Sequence, residues 1–111
     1  MMPQPEITIV GGGLAGCEAA LQLARLGLAC TLVEMRPQTS TAAHRTNRLA
    51  ELVCSNSLKS TQLSTASGLL KEELTMLGCR LLACASEAAV PAGAALAVDR
   101  EAFSVAVEER I

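Results

Sequence analysis

Gly11, Gly13 and Gly16 stand at G-x-G-x-x-G spacing within Gly11-Gly12-Gly13-Leu14-Ala15-Gly16. Each glycine has a physical use. Gly11 allows a turn that a Cβ would strain. Gly13 lets the backbone approach a pyrophosphate, and Gly16 lets a helix pack closely on a strand. The free N–H groups of a helix start, with the helix dipole, favour a diphosphate at that point. Glu34 follows at a distance suited to ribose, where its carboxylate can accept hydrogen bonds from the hydroxyls and its charge disfavours a 2′-phosphate. The third candidate is Cys54, followed by Ser55-Asn56-Ser57. Three small polar residues there suggest a turn or a helix start, whose backbone N–H groups would favour a thiolate. On residue physics alone, a structural cysteine is the simpler reading.

The elements that would position these residues are legible on both sides. Ile7-Thr8-Ile9-Val10 reads as a short buried strand. Leu14 to Leu26 is rich in Ala and Leu and lacks Pro, so it reads as a helix, stopped by Gly27. Cys30-Thr31-Leu32-Val33 reads as a second strand ending at Glu34. Strand, glycine turn, helix, strand and acid together form a βαβ unit with a dinucleotide fingerprint; a glycine-rich turn that binds nothing is the plain alternative.

Composition sets the bounds. The chain has 111 residues, at most one domain, and 50% of them are hydrophobic, so it is a globular sequence. Phe103 is its one aromatic residue, which leaves the core to Leu, Ala and Val and nearly removes any aromatic platform for a flavin or a base. The N-terminus lacks a basic region and its apolar run breaks at three glycines, so neither a signal peptide nor a membrane span is expected. A soluble, cytoplasmic protein is the expectation. Five cysteines without a C-x-x-C pair argue against a disulfide scaffold or a zinc site, and Cys17 and Cys30 read as small core residues. Net charge is −2 but uneven: residues 35–65 hold Arg36, Arg45, Arg48 and Lys59 against Glu51 alone, while residues 72–111 are acidic. The basic middle could meet phosphate or could be a solvated loop.

Residues 1–5 read as an exposed lead-in with two prolines. Arg36 to Arg48 has no apolar period and reads as a long loop, within a basic loop and cysteine region spanning 35–65. The region 66–111 reads as mainly helical. Ala66 to Leu77 is a helix, with Leu70, Leu74, Leu77 and Leu81 on one stripe that reads as core. Residues 79–90 fit a further helix or a strand. Pro91-Ala92-Gly93 breaks that element, and Ala94 to Val98 reads as a short extended piece. Asp99 then reads as an N-cap with Glu101 in the first turn of a helix carrying Phe103, Val107 and Ile111 on one face. A doubly wound sheet needs a third strand beside the first, and none is evident. The fold class is therefore α/β: an incomplete Rossmann-type domain over 1–111, expected to be the N-terminal portion of a larger flavin- or nicotinamide-binding protein.

Four stretches carry a resemblance over nearly the whole chain, Glu6 to Ile111. They are Ile9 to Gly16, Val33-Glu34-Met35-Arg36-Pro37, Ala50 to Leu58 with Cys54-Ser55-Asn56-Ser57 at its centre, and Pro91 to Arg100. The first two are common among flavoproteins; the last two are far more specific. On these the chain resembles the opening part of the folate- and flavin-dependent tRNA (uracil-5-)-methyltransferases, the TrmFO type. The resemblance implies a glutathione-reductase-like FAD-binding domain. It also implies an enzyme that takes a one-carbon unit from 5,10-methylenetetrahydrofolate and, with flavin reduced by NAD(P)H, methylates C5 of the T-loop uridine of tRNA. Carried over by position, Gly11, Gly12, Gly13, Leu14, Ala15 and Gly16 would face the FAD pyrophosphate, Glu34 the adenosine ribose, and Arg36 the cofactor; the basic 36–59 stretch becomes a candidate for tRNA or cofactor phosphate. Cys54 matches the cysteine of the family's C-S-N-S motif and becomes the catalytic candidate. The chemistry gives it a use, since C5 of uracil is a poor nucleophile and thiolate addition at C6 would make it enolate-like. Whether Cys54 adds to uracil or serves the flavin stays open.

Two other readings remain beside this one. The tRNA wobble-uridine carboxymethylaminomethyl-modifying flavoprotein has a similar opening, but its cysteine region is unlike Cys54-Ser55-Asn56-Ser57. A non-catalytic fragment that binds a dinucleotide weakly, or only self-associates, is the alternative of another class. A disulfide reductase would need a cysteine partner near Cys54, and none stands within several residues.

Overall fold

A computed structural model describes residues 6–53 and 55–111. The expectations for residues 1–5 and for the thiol of Cys54 concern positions outside the described residues. The βαβ unit forms as read. Strand β1 (Thr8–Val10) leads through the glycine turn into helix α1 (Leu14–Arg25), and β2 (Thr31–Val33) pairs with β1 in parallel, with Ile9 opposite Leu32. Cys17, Ala20 and Leu21 give α1 its buried side. The helix stops at Gly27 because that residue takes φ +74°, and its N–H and that of Leu28 cap the carbonyls of Ala24 and Leu23. Gly16 sets the helix-to-strand distance: a Cβ there would lie 1.9 Å from the carbonyl oxygen of Gly11 and 3.3 Å from Ile9 Cγ2.

The first strand is less buried than expected. Its residues alternate between exposed and half-buried, and Val10 is 85% exposed. The parallel sheet has two strands among the described residues, and no described strand lies on the free edge of β1.

A second sheet was not legible in the sequence. Ser57–Ser60 forms β3, Ala89–Val90 forms β4 and Ala95–Val98 forms β5, in the antiparallel order β3-β5-β4. The residues after Cys54 therefore enter a strand and not a helix. The ambiguous segment 79–90 resolves into both alternatives, helix α3 (Arg80–Glu87) followed directly by β4. Helix α2 (Ala66–Met76) begins on Thr65, whose hydroxyl oxygen accepts from the N–H of Gly68. Helix α4 (Arg100–Arg110) begins on Asp99, whose carboxylate accepts from the N–H of Ala102 at 2.8 Å with Glu101 in the first turn, as the sequence indicates.

The core is small and aliphatic. Cys17, Ala50, Leu52, Cys84, Ala85, Ala88, Val98, Phe103, Ala106 and Val107 form one cluster, with Leu81 and Leu96 packed at its border. It draws α1, α3, α4, β5 and the loop at 49–52 together. Of the apolar face expected on α4, Phe103 and Val107 are buried, whereas Ile111 is 49% exposed. Cys17 is a core residue, as expected, while Cys30 is half-buried and precedes β2. The leucine stripe of α2 is not core. Leu70 and Leu77 are 54% and 78% exposed, as α2 packs mainly along β3, while Leu81, the last residue of the stripe, lies in α3 and packs against the core. Helical period identifies an apolar face but does not supply its cover.

The corner between α2 and α3 is tied to α1 by three polar side chains. Gln22 Nε2 and Arg25 Nη1 donate to the carbonyl of Gly78, at 3.0 and 3.2 Å. One turn earlier, Glu18 accepts from the backbone N–H groups of Arg80 and Leu81 and from the Cys79 thiol, and so caps α3 from another helix. Burial pushes the Glu18 carboxyl up, but the bonds from Cys79, Leu81, Arg80 and Gln22 outweigh it and hold the group below the usual carboxylate range. Its folded pKa lies below the unfolded one, so its contribution is present above the unfolded pKa and fades as pH falls through the folded value.

Two stability outcomes follow from these contacts. Glu18→Gln should lower unfolding free energy by about 1 kcal/mol, the scale of a lost helix cap, and the deficit should shrink in acid; urea melts at neutral and acidic pH measure it. Gly16→Ala should lose about 1–3 kcal/mol through the forced clash with the Gly11 carbonyl, read as a lower thermal midpoint.

Candidate functional site

The glycine turn connects β1 to α1, and its three residues sit in different surroundings. Gly11 has φ +104°, a conformation that favours glycine, and donates to the Val33 carbonyl at 2.7 Å. Gly12 is buried: its N–H donates to Glu34 Oε1 at 2.9 Å, and its carbonyl accepts from the Ala50 N–H at 2.8 Å and from the Cys17 thiol. A Cβ on Gly12 would come within 2.5 Å of Leu49 Cδ2. Gly13 faces open space, with nothing within 4 Å of an added Cβ. Close packing is thus met at Gly12 and Gly16, while Gly13 leaves its side of the turn clear for an approaching group.

The helix starts differ in a way that bears on anion binding. Thr65 caps α2, Asp99 caps α4, and Glu18 caps α3. Gly13 caps α1 with no side-chain acceptor, and the first turn holds no acid. Leu14 and Ala15, the first helical residues, are exposed. Free N–H groups, the positive end of the helix dipole and open space therefore coincide at one point, the geometry that suits a phosphate group. These residues fit the pyrophosphate of a dinucleotide.

Glu34 stands at the end of β2 beside this turn. Oε1 accepts from the Gly12 N–H, and Oε2 accepts from the backbone N–H and the Nε of Arg36 at 3.0 and 2.6 Å. The Arg36 guanidinium, then the Gly12 N–H and the Arg36 N–H, hold its carboxyl down at about 2, against a smaller upward push from burial. It is ionised at neutral pH. A carboxylate offers about four lone-pair sites, so Oε1 keeps acceptor capacity for a hydroxyl, and the side chain is 15% exposed.

Arg36 is placed differently from a free cation. Its side chain is 2% exposed. Nε meets Glu34, Nη1 donates to the Thr46 carbonyl at 2.9 Å and Glu51 Oε1 at 3.3 Å, and Nη2 donates to the Arg48 carbonyl at 3.0 Å. Glu51 also accepts from the N–H groups of Arg45 and Thr46 and from the Thr46 hydroxyl. These bonds outweigh the desolvation that would raise its carboxyl and hold it below the usual range. The sequence marks Glu51 only as the lone acid of a basic stretch, and that contrast was the available signal for its role.

The remaining charges of the loop are partly balanced. Arg48 reaches Glu108 and Glu101 at 3.4 Å each, and Glu108 also accepts from the Leu49 N–H at 2.9 Å. A cleft of about 240 Å³ between this loop and α4 is lined by both signs, Arg45, Arg48 and Arg100 with Glu51 and Glu101. A second, apolar cleft of about 290 Å³ starts at Leu14 and runs past Leu58, Leu70, Leu74 and Leu81 above Phe103. Burial pushes the thiols of Cys17, Cys79 and Cys84 up, away from the thiolate form.

Comparison with known proteins places the chain in a family. The family model described as Glucose inhibited division protein A matches residues 6–111. Three similar curated proteins are each named methylenetetrahydrofolate–tRNA-(uracil-5-)-methyltransferase TrmFO. The protein of Syntrophomonas wolfei is 60% identical over 106 residues, 96% of this chain and 24% of that relative. That of Solibacter usitatus is 67% identical over 98 residues, 88% of this chain and 22% of the relative. That of Anaeromyxobacter dehalogenans is 58% identical over 110 residues, 99% and 24% of the two chains. The chain thus spans about a quarter of the length of these relatives. With a match that runs from two residues before β1 to the residue after α4, the chain belongs to the glucose inhibited division protein A family.

Proposed function

We propose that this chain forms the opening part of the FAD-binding domain of a methylenetetrahydrofolate–tRNA-(uracil-5-)-methyltransferase. The observation that carries the reading is the start of α1, which alone among the four described helices has no capping side chain and faces open space at Gly13. The name shared by the similar proteins supports the reaction. In this reading the backbone of Gly11 to Gly16, with Leu14 and Ala15 in the first turn, holds the pyrophosphate. Glu34 accepts from the adenosine ribose. Bound FAD would supply the two-electron reducing capacity that turns a transferred methylene into a methyl group, with NAD(P)H as the source.

Cys54 is the nucleophile of the proposal. A thiolate bond to uracil C6 moves the C5–C6 electron pair toward an enolate, and C5 can then attack the one-carbon unit that 5,10-methylenetetrahydrofolate delivers. Loss of the C5 proton with cleavage of the bond from that carbon to the folate nitrogen releases tetrahydrofolate; two-electron reduction then completes the methyl group, and departure of the Cys54 thiolate restores the C5–C6 double bond. The tRNA substrate and a cytoplasmic location belong to the same proposal; among the described residues no helix is long and apolar enough to cross a membrane.

Purified protein should retain FAD, read by flavin absorbance and fluorescence. Gly13→Ala should keep the fold, since its Cβ meets nothing within 4 Å, yet weaken FAD about tenfold, about 1.4 kcal/mol. Glu34→Ala should release most of the flavin. In the complete enzyme Cys54→Ser should keep FAD and abolish methyl transfer to tRNA. A well-folded protein that takes up no dinucleotide would overturn the reading.

A further inference from the structure

We infer that Arg36 is a positioning residue for the dinucleotide site, acting through Glu34 and through the loop above the glycine turn, and is not itself a phosphate contact. The inference rests on the FAD reading above and names what prepares that site. Three observations carry it. First, the guanidinium is committed inward: its side chain is 2% exposed, and all three nitrogens have acceptors in Glu34, Thr46, Glu51 and Arg48. No face of it remains for a cofactor phosphate.

Second, its grip on Glu34 decides how that carboxylate points. Arg36 takes Oε2 through both its backbone N–H and Nε, which leaves Oε1 to meet the Gly12 N–H at 2.9 Å and to present its second lone pair outward. Without the guanidinium, the carboxylate is free to rotate toward solvent and leave the turn.

Third, the same cation fixes the loop that closes over Gly12. Its bonds to the Thr46 and Arg48 carbonyls hold the segment just before Leu49 and Ala50. Leu49 packs on Gly12, and the Ala50 N–H donates to the Gly12 carbonyl. Ala50 holds φ +54° there, a left-handed backbone that a non-glycine residue keeps only when its surroundings enforce it. Glu34 and the loop thus approach Gly12 from two sides, and Arg36 bonds to both.

A double-mutant cycle tests this in the flavin-binding protein. FAD affinity is measured for the wild type, Arg36→Met, Glu34→Gln and the double variant, with folding checked by circular dichroism. Arg36→Met should weaken FAD about tenfold, and in the Glu34→Gln background it should add less than about twofold, because a residue acting through another shows strong coupling. If Arg36→Met does not fold, the cycle is run with Arg36→Lys, which keeps the charge and loses the multiple grip. Arg36→Lys should recover only part of the lost affinity. Additive losses would mean that Arg36 does not act through Glu34, and an Arg36 variant binding like the wild type would mean no role; either overturns the inference while leaving the FAD reading intact. A folded wild type that binds no FAD would fail the FAD reading, and this inference with it.

Discussion

Burial of one guanidinium is the constraint on which the rest of this structure depends. An arginine removed from water must find acceptors for its donors, and an unpaired one is costly. Here the acceptors come from three places along the chain: the end of β2, the Thr46 to Arg48 backbone, and Glu51. Satisfying Arg36 therefore folds a polar loop, poor in apolar contacts of its own, into a fixed path. That path delivers Leu49 and Ala50 onto the glycine turn and Leu52 into the core. A stretch whose composition reads as solvated chain becomes the wall of a site because its charges are spent internally.

The same logic separates the helix ends. Three of the four described helices have their first N–H groups answered by an oxygen, one of them from a different helix. The fourth is left without such an oxygen at the point where β1 and Glu34 converge. Orphan donors cost little in water, and an uncapped helix start leaves its N–H groups open to an anion.

How much was legible in the sequence differs by element. The βαβ unit, the Gly27 stop and the Asp99 cap were readable because each rests on local chemistry: glycine backbone freedom, or a side chain that bonds its own helix. The antiparallel sheet was not. β4 has two residues, and β3 is broken by a register shift at Lys59, which sits at φ +69°. Neither is long enough to show a period of two. The α2 stripe was misread because spacing identifies an apolar face without saying what lies against it. At the candidate site, the position of Glu34 directly after β2 was legible. The bonding of Arg36 was not, since its partner Glu51 is 15 residues away and the pairing exists only once the loop is folded. The role of Cys54 rests on motif and chemistry, as that residue lies outside the described ones.

One feature of α1 reaches beyond the turn it carries. Glu18, Gln22 and Arg25 lie on one stripe and hold the corner between α2 and α3, while Gly13 begins the same helix. Twelve residues of helix make a beam about 18 Å long. The glycine turn and the corner are its two ends. Loosening the far corner releases the buried side of the beam, and the turn then loses the stiff support that holds its N–H groups in one direction. The precision of the turn is thus set partly by contacts near Gly78 that touch neither the turn glycines nor Glu34.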